Sequence, residues 1–269
     1  MSLRKRLPTA LVLLVLFFLV VQFVPPPGYF VVLQILILAS LFEFYNLFRY
    51  RKLFPEKILG VILALTISLS FYFKEEIPLG MVLFGCLLLA ALYFVISFNT
   101  VEKLAHFPSS IALTFFGAVY LSFTLNYFYL LREEETPLYV YFLLIVIIFG
   151  DTGAYFFGKL FGRHKLVPIA SPYKTWEGCF GGIVFAALGA LAAQQILLTD
   201  IVLWKAVLTG ILVHAVAQIS DPLESLFKRA VGVKDSSNAL PGHGGFLDRV
   251  DSLILATPFF YYFIKYFWS

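Results

Sequence analysis

LYVYFLLIVIIFGDTGAYFF, Leu138 to Phe157, is an apolar run that a single carboxylate, Asp151, interrupts. About 20 apolar residues in a helix cross a hydrocarbon core of roughly 30 Å, so the stretch reads as a membrane span carrying one acid. The rest of the chain repeats the pattern. Of its 269 residues, 61% are hydrophobic and 13% charged, against about half and about a quarter in soluble domains. The expected fold class is an all-α polytopic integral membrane protein with about nine transmembrane helices. They run approximately Pro8 to Val24, Tyr29 to Phe48, Ile58 to Phe73, Ile77 to Phe98, Ser109 to Leu131, Leu138 to Phe157, Cys179 to Leu198, Ile201 to Ser220 and Ser252 to Trp268.

The first run follows MSLRKR, as a signal peptide would, but it is long and ends in Pro25, Pro26 and Pro27 without a small-x-small cleavage site. It reads as a retained helix. Cys86 and Cys179 have neither metal nor disulfide spacing and carry no information.

Lys and Arg set the orientation. With a cytoplasmic N-terminus, the inner segments hold Arg4, Lys5 and Arg6; Arg49, Arg51, Lys52 and Lys57; Lys103; Lys159, Arg163, Lys165 and Lys174; and Lys228, Arg229, Lys234 and Arg249. Only Lys74, Arg132, Lys205 and Lys265 fall outside. The bias favours an inside N-terminus, an outside C-terminus, and two cytoplasmic polar loops, Gly158 to Gly178 and Asp221 to Asp251.

The chain divides by character into 1–136, an N-terminal transmembrane region of about five helices, and 137–269, where the polar residues gather. Glu43 is an exception in the first region. A carboxylate at membrane depth is costly, and a functional acid and a hydrogen-bonded structural one are equally open readings. Gly178, Gly181, Gly182, Ala186, Ala187, Gly189, Ala190, Ala192 and Ala193 give the seventh segment small residues for close helix packing.

GAYFFGKL, Gly153 to Leu160, has P-loop spacing but lacks the closing Ser or Thr and a preceding strand, so that reading is rejected. Asp151 remains, near a cytoplasmic helix end. The next loop presents Ser171 and Lys174 in a proline-ordered SPYKT, hydroxyl beside ammonium, a combination that suits phosphate oxygens. Further on, Asp221 and Glu224 share a helix face, as do Glu224 and Lys228, and Asp248 and Asp251 open the last segment. Carboxylate oxygens suit a hard cation such as magnesium, although acids at a helix start also act as caps. Lys228, Arg229, Lys234 and Arg249 supply cations, and Gly244 and Gly245 beside His243 allow close backbone approach to an anion. Acids for a metal and bases for phosphates make a phosphoryl or nucleotidyl transfer site.

SLFKRAVGVKDSSNALPGHGGFLDRVD, Ser225 to Asp251, resembles the signature of the CDP-diacylglycerol synthase, or phosphatidate cytidylyltransferase, family. DTGAYFFGKLFGRHKL and SPYKTWEG, within Asp151 to Gly178, are similar to a second block of it. Ser220-Asp221-Pro222 departs from the pattern, where Gly would precede the Asp. The resemblance implies that CTP and phosphatidate condense to CDP-diacylglycerol and pyrophosphate with Mg2+, a second cation being left open. Asp221, Asp248 and Asp251 are the implied metal ligands, and with Lys228 and Arg229 the catalytic set. Asp151, Ser171, Lys174, Glu224, Lys234, His243, Gly244, Gly245 and Arg249 are the implied substrate-binding residues. Region 137–269 becomes the catalytic region, and 1–136 serves packing, lipid entry or dimerisation. The expected setting is the cell (plasma) membrane with the site facing the cytoplasm, a homodimer, and no nucleic-acid partner. A CTP-dependent polyprenol kinase and, in another class, an ion-coupled secondary transporter are the rival readings.

Overall fold

The structure is a computed structural model that describes residues 3–240, 242 and 244–268. Ten helices follow one another: α1 (Leu3–Phe23), α2 (Pro26–Leu47), α3 (Lys57–Tyr72), α4 (Leu79–Ser97), α5 (Val101–Ala118), the short α6 (Tyr127–Leu130), α7 (Pro137–Phe161), α8 (Trp176–Leu197), α9 (Leu203–Ala230) and α10 (Leu247–Phe267). Between α7 and α8 lies a hairpin of β1 (Lys165–Val167) and β2 (Ser171–Thr175).

Among the described residues, six helical stretches are long and apolar enough to cross a membrane: Pro26–Arg51, Leu79–Ser97, Val101–Glu133, Pro137–Phe161, Trp176–Leu197 and Leu203–Ala230. Lys57–Tyr72 is apolar but shorter. In α4 the large side chains Met81, Phe84, Leu88, Leu92 and Val95 are exposed, as befits a surface whose solvent is lipid rather than water.

Proline and threonine punctuate the chain. Pro26 and Pro137 occupy the first turns of α2 and α7, where a missing N–H costs nothing. The hydroxyls of Thr100, Thr136 and Thr175 accept from the first-turn amides of Lys103, Leu138 and Gly178, meeting donors that have no partner inside the helix.

Two expectations about the polar loops need correction. The eighth segment does not stop near Ser220: α9 runs through Pro222 to Ala230, so the loop begins at Val231, while Asp221, Glu224 and Lys228 do share a helix as their spacing predicts. Nor is the stretch after α7 all loop. Its strands pair antiparallel, Lys165 opposite Thr175 and Val167 opposite Ser171, a small β element in an otherwise helical protein.

The chain forms two compact units, Met1–Tyr129 with Val231–Arg249, and Leu130–Ala230 with Val250–Ser269. In the first, the Tyr45 hydroxyl donates to Thr114 O at 2.6 Å, and Gln34, Asn126 and Ser68 form a buried chain of side-chain hydrogen bonds. Such a network satisfies groups that would otherwise be stranded in hydrocarbon. In the second, α7 and α8 meet along their small residues. A Cβ on Gly153 would lie 2.7 Å from Gly181 O, so the backbones touch where a side chain would separate them. Gly181, Gly182, Ala186, Gly189, Ala190 and Ala193 of α8 are buried, and the small-residue face is a packing face within the protomer.

Candidate active site

In the second unit, a pocket of about 250 Å³ is lined by Asp151, Ala154 and Tyr155 of α7, Leu166 of β1, Tyr173 to Thr175 of β2, Gly178 and Cys179 of α8, and Gln218 and Asp221 of α9. Lys174 points in from the hairpin, its ammonium 2.7 Å from Asp221 Oδ2. The hairpin is fixed at its base by Glu177, whose carboxylate accepts from the amides of Arg163 and His164 and meets His164 Nδ1 at 2.7 Å. Ser171 starts β2 and belongs to the same hairpin.

One turn beyond Asp221, Glu224 and Lys228 form a buried ion pair, the i,i+4 relation that their spacing predicts. Arg229 donates from Nε to Ala170 O at 3.3 Å, anchoring the hairpin turn. Ser220, the departure from the expected glycine, acquires a role. Its hydroxyl donates to Asp251 O and accepts from Leu255 N, fastening α9 to the turn of α10 that carries Asp251. Asp251 Oδ1 accepts from Ser252 N at 2.7 Å. His214, two turns before Asp221 on α9, is fully buried, and the sequence reading passed it over.

The loop before α10 belongs to the first unit, and a carboxylate of α2 organises it. Glu43 accepts from Ser236 Oγ at 2.9 Å, Ser237 Oγ at 2.7 Å, Phe246 N at 3.1 Å and Leu247 N at 2.8 Å. Asp248 Oδ2 accepts from Ser236 N at 2.9 Å, Ser236 Oγ at 2.9 Å and Gly245 N at 2.8 Å. The two glycines are explained by these carboxylates. Gly244 has φ +80° and a Cβ there would lie 2.6 Å from Asp248 Oδ2; at Gly245 it would lie 2.1 Å from Ser236 Oγ and 2.3 Å from Glu43 Oε2. A φ in that range disfavours any side chain. Lys234 and Arg249 are exposed in this unit.

The structure therefore gathers Asp151, Lys174 and Asp221 around one pocket, and Gly244, Gly245 and Asp248 with Glu43 around one loop. His243 lies outside the described residues. Ser236, Ser237 and the role of Glu43 escaped the sequence reading; the available signal was an acid one turn from the end of an apolar segment and a loop rich in unassigned hydroxyls.

Among the described residues, no group of three or more His, Cys, Asp and Glu side chains could hold a metal by themselves. Magnesium rarely asks for that, taking one or two carboxylates and completing its shell with water and phosphate oxygens. The donor chemistry fits: Asp221 already engages a cation, the Lys174 ammonium, and Asp248 offers carboxylate oxygens of the kind a hard cation takes.

Comparison with known proteins bears on what this arrangement does. Residues 4–267 match the cytidylyltransferase family. Among similar proteins are the phosphatidate cytidylyltransferases of Staphylococcus epidermidis, 39% identical over 171 residues, of Staphylococcus saprophyticus, 37%, and of Staphylococcus aureus, 35%. Each match covers 64% of this chain and 65% of the relative, so the chain spans just under two thirds of the length of these relatives.

Proposed function

The chain belongs to the cytidylyltransferase family, and from that premise we propose that it condenses CTP with phosphatidate to give CDP-diacylglycerol and pyrophosphate. The observation that carries the reading is the pocket in which the Lys174 ammonium stands beside Asp221, with Asp151 in the same wall. A phosphate oxygen of phosphatidate bonds to the α-phosphorus of CTP, and the bond from that phosphorus to the bridging oxygen breaks as pyrophosphate leaves. Phosphate monoesters have a second pKa of about 6, so the nucleophile is already ionised and no strong general base is needed. Catalysis then rests on positioning and charge neutralisation.

Lys174 and Ser171 bind phosphate in this reading, as do Lys228, Arg229, Lys234 and Arg249. Gly244 and Gly245 let the loop backbone approach it, His243 donates to it or orders the loop, and Asp151 and Glu224 shape the polar wall. Asp221, Asp248 and Asp251 are the proposed ligands of Mg2+. When bound, the cation neutralises phosphate charge in the transition state.

We place nine helices across a cell membrane, with the N-terminus and both polar segments cytoplasmic. The support is the distribution of Lys and Arg and the fact that CTP is a cytoplasmic solute. Residues 137–269 carry the chemistry and 1–136 the packing and lipid access. The homodimer rests on the family resemblance, since the small-residue face of α8 is used inside the protomer.

Purified protein in detergent with Mg2+, CTP and phosphatidate should yield CDP-diacylglycerol and pyrophosphate, and chelation should stop it. Phospholipid with CDP as products would point instead to a lipid kinase. Saturable solute flux into proteoliposomes without nucleotide turnover would point to a transporter.

A further inference from the structure

We propose that Glu43 is a positioning residue for the reaction, a carboxylate in α2 that seats the loop at 236–247 and through it sets Asp248. The inference rests on the function proposed above. Glu43 is 7% exposed in an apolar helix, one turn before its end at Leu47. An ionisable group there is expensive unless partnered, and its four donors all come from one loop, more than 190 residues later in the chain. Two are the main-chain amides of Phe246 and Leu247 at the start of α10, groups that no residue within the helix can satisfy. The carboxylate thus fixes where α10 begins.

The other two donors, the hydroxyls of Ser236 and Ser237, connect Glu43 to Asp248. Ser236 Oγ stands 2.9 Å from Glu43 Oε2 and 2.9 Å from Asp248 Oδ2. Its single proton serves one of the two carboxylates at a time, and the Ser236 and Gly245 amides hold Asp248 from the other sides. The packing admits no substitute, since a Cβ at Gly245 would press on both Ser236 and Glu43. A carboxylate is required because every partner of Glu43 is a donor. Glu43→Gln turns an NH2 toward at least one main-chain N–H that cannot reverse its role.

The test uses the full chain in detergent, as wild type, Glu43→Gln, Ser237→Ala and the double variant. Two quantities are read: the rate of tryptic cleavage after the exposed Lys234, and the Mg2+ concentration that gives half-maximal CDP-diacylglycerol synthesis. For Glu43→Gln each should rise by about threefold or more, as expected when charge-assisted hydrogen bonds are lost. Ser237→Ala should fall between, and the double variant should be no worse than Glu43→Gln, because both changes remove the same contact. Cleavage at the wild-type rate, multiplying effects, or reduced turnover with an unmoved Mg2+ midpoint would overturn the proposal and leave Glu43 a structural acid. If Glu43→Gln does not fold, Ser237→Ala decides by the same criteria. If the wild type makes no CDP-diacylglycerol, the proposed function fails while the cleavage rates still judge the clamp.

Discussion

The ammonium of Lys174, on the second strand of the hairpin, stands 2.7 Å from Asp221 Oδ2 on α9. A surface hairpin and a membrane helix thereby share one polar wall, with Asp151 of α7 in the same pocket. The pair is partly exposed, which keeps both groups available to a charged substrate. Replacing Lys174 by Met is expected to lower turnover about 100-fold, the scale for removing one preorganised charge from a phosphoryl or acyl transfer site, with little change in melting temperature. Initial rates of CDP-diacylglycerol formation check this; a variant within threefold of wild type would remove Lys174 from the site.

Gly245 and Gly80 make a matched pair for stability. Alanine at Gly245 would place a Cβ 2.1 Å from Ser236 Oγ, while at Gly80 it would meet nothing within 4 Å. Gly245→Ala should cost about 1–3 kcal/mol through overpacking. Gly80→Ala, in the first turn of α4, should be neutral or stabilising by up to about 1 kcal/mol. Thermal unfolding in detergent distinguishes them.

Lys228 and Glu224 are both buried, so the single change should cost far more than the double. Lys228→Met abandons a buried carboxylate and is expected to cost about 3–5 kcal/mol. Adding Glu224→Gln should recover most of that loss. If Lys228 also binds phosphate, the double variant will be stable yet slow, which separates fold from chemistry when melting temperature and turnover are measured together.

Ser220 fastens α9 to α10 by two hydrogen bonds, to Asp251 O and from Leu255 N. Ser220→Ala should lower stability by about 1–2 kcal/mol, and less if water takes the vacated place. Because the side chain touches main chain rather than any proposed ligand atom, turnover per folded molecule should fall by less than tenfold. A larger kinetic loss at unchanged stability would mean that Asp251 is set by this contact.

Local pattern made much of the fold legible. The apolar runs at Tyr29 to Phe48, Ile58 to Phe73 and Cys179 to Leu198 lie within a few residues of α2, α3 and α8, because membrane helices must satisfy their own backbone and so declare themselves in composition. The spacing of Glu224 and Lys228 likewise foretold their pairing. The true end of α9 was not legible, since a proline inside a helix costs about 3 kcal/mol or more and Pro222 lies within it. Here the helix continues because Ser220, Asp221 and Arg229, on both sides of the proline, are tied to other elements. The hairpin escaped because its strands are only three and five residues long, too short for alternation to register. Glu43 could not be assigned from its neighbours at all, since its partners are a hydroxyl pair and two amides contributed by a distant loop.

That distance bears on how the protein is made. Leu247, the last of the four donors, follows Glu43 by 204 residues, and ribosomes add about 5–20 residues per second. For roughly 10–40 s of synthesis, α2 therefore exists as a nascent segment whose acid has none of its final donors. It must spend that interval hydrated at the bilayer edge or sheltered by the insertion machinery. The helix is complete only once a loop more than 190 residues later has been made, and a chain halted before residue 236 would leave this carboxylate without its mature partners.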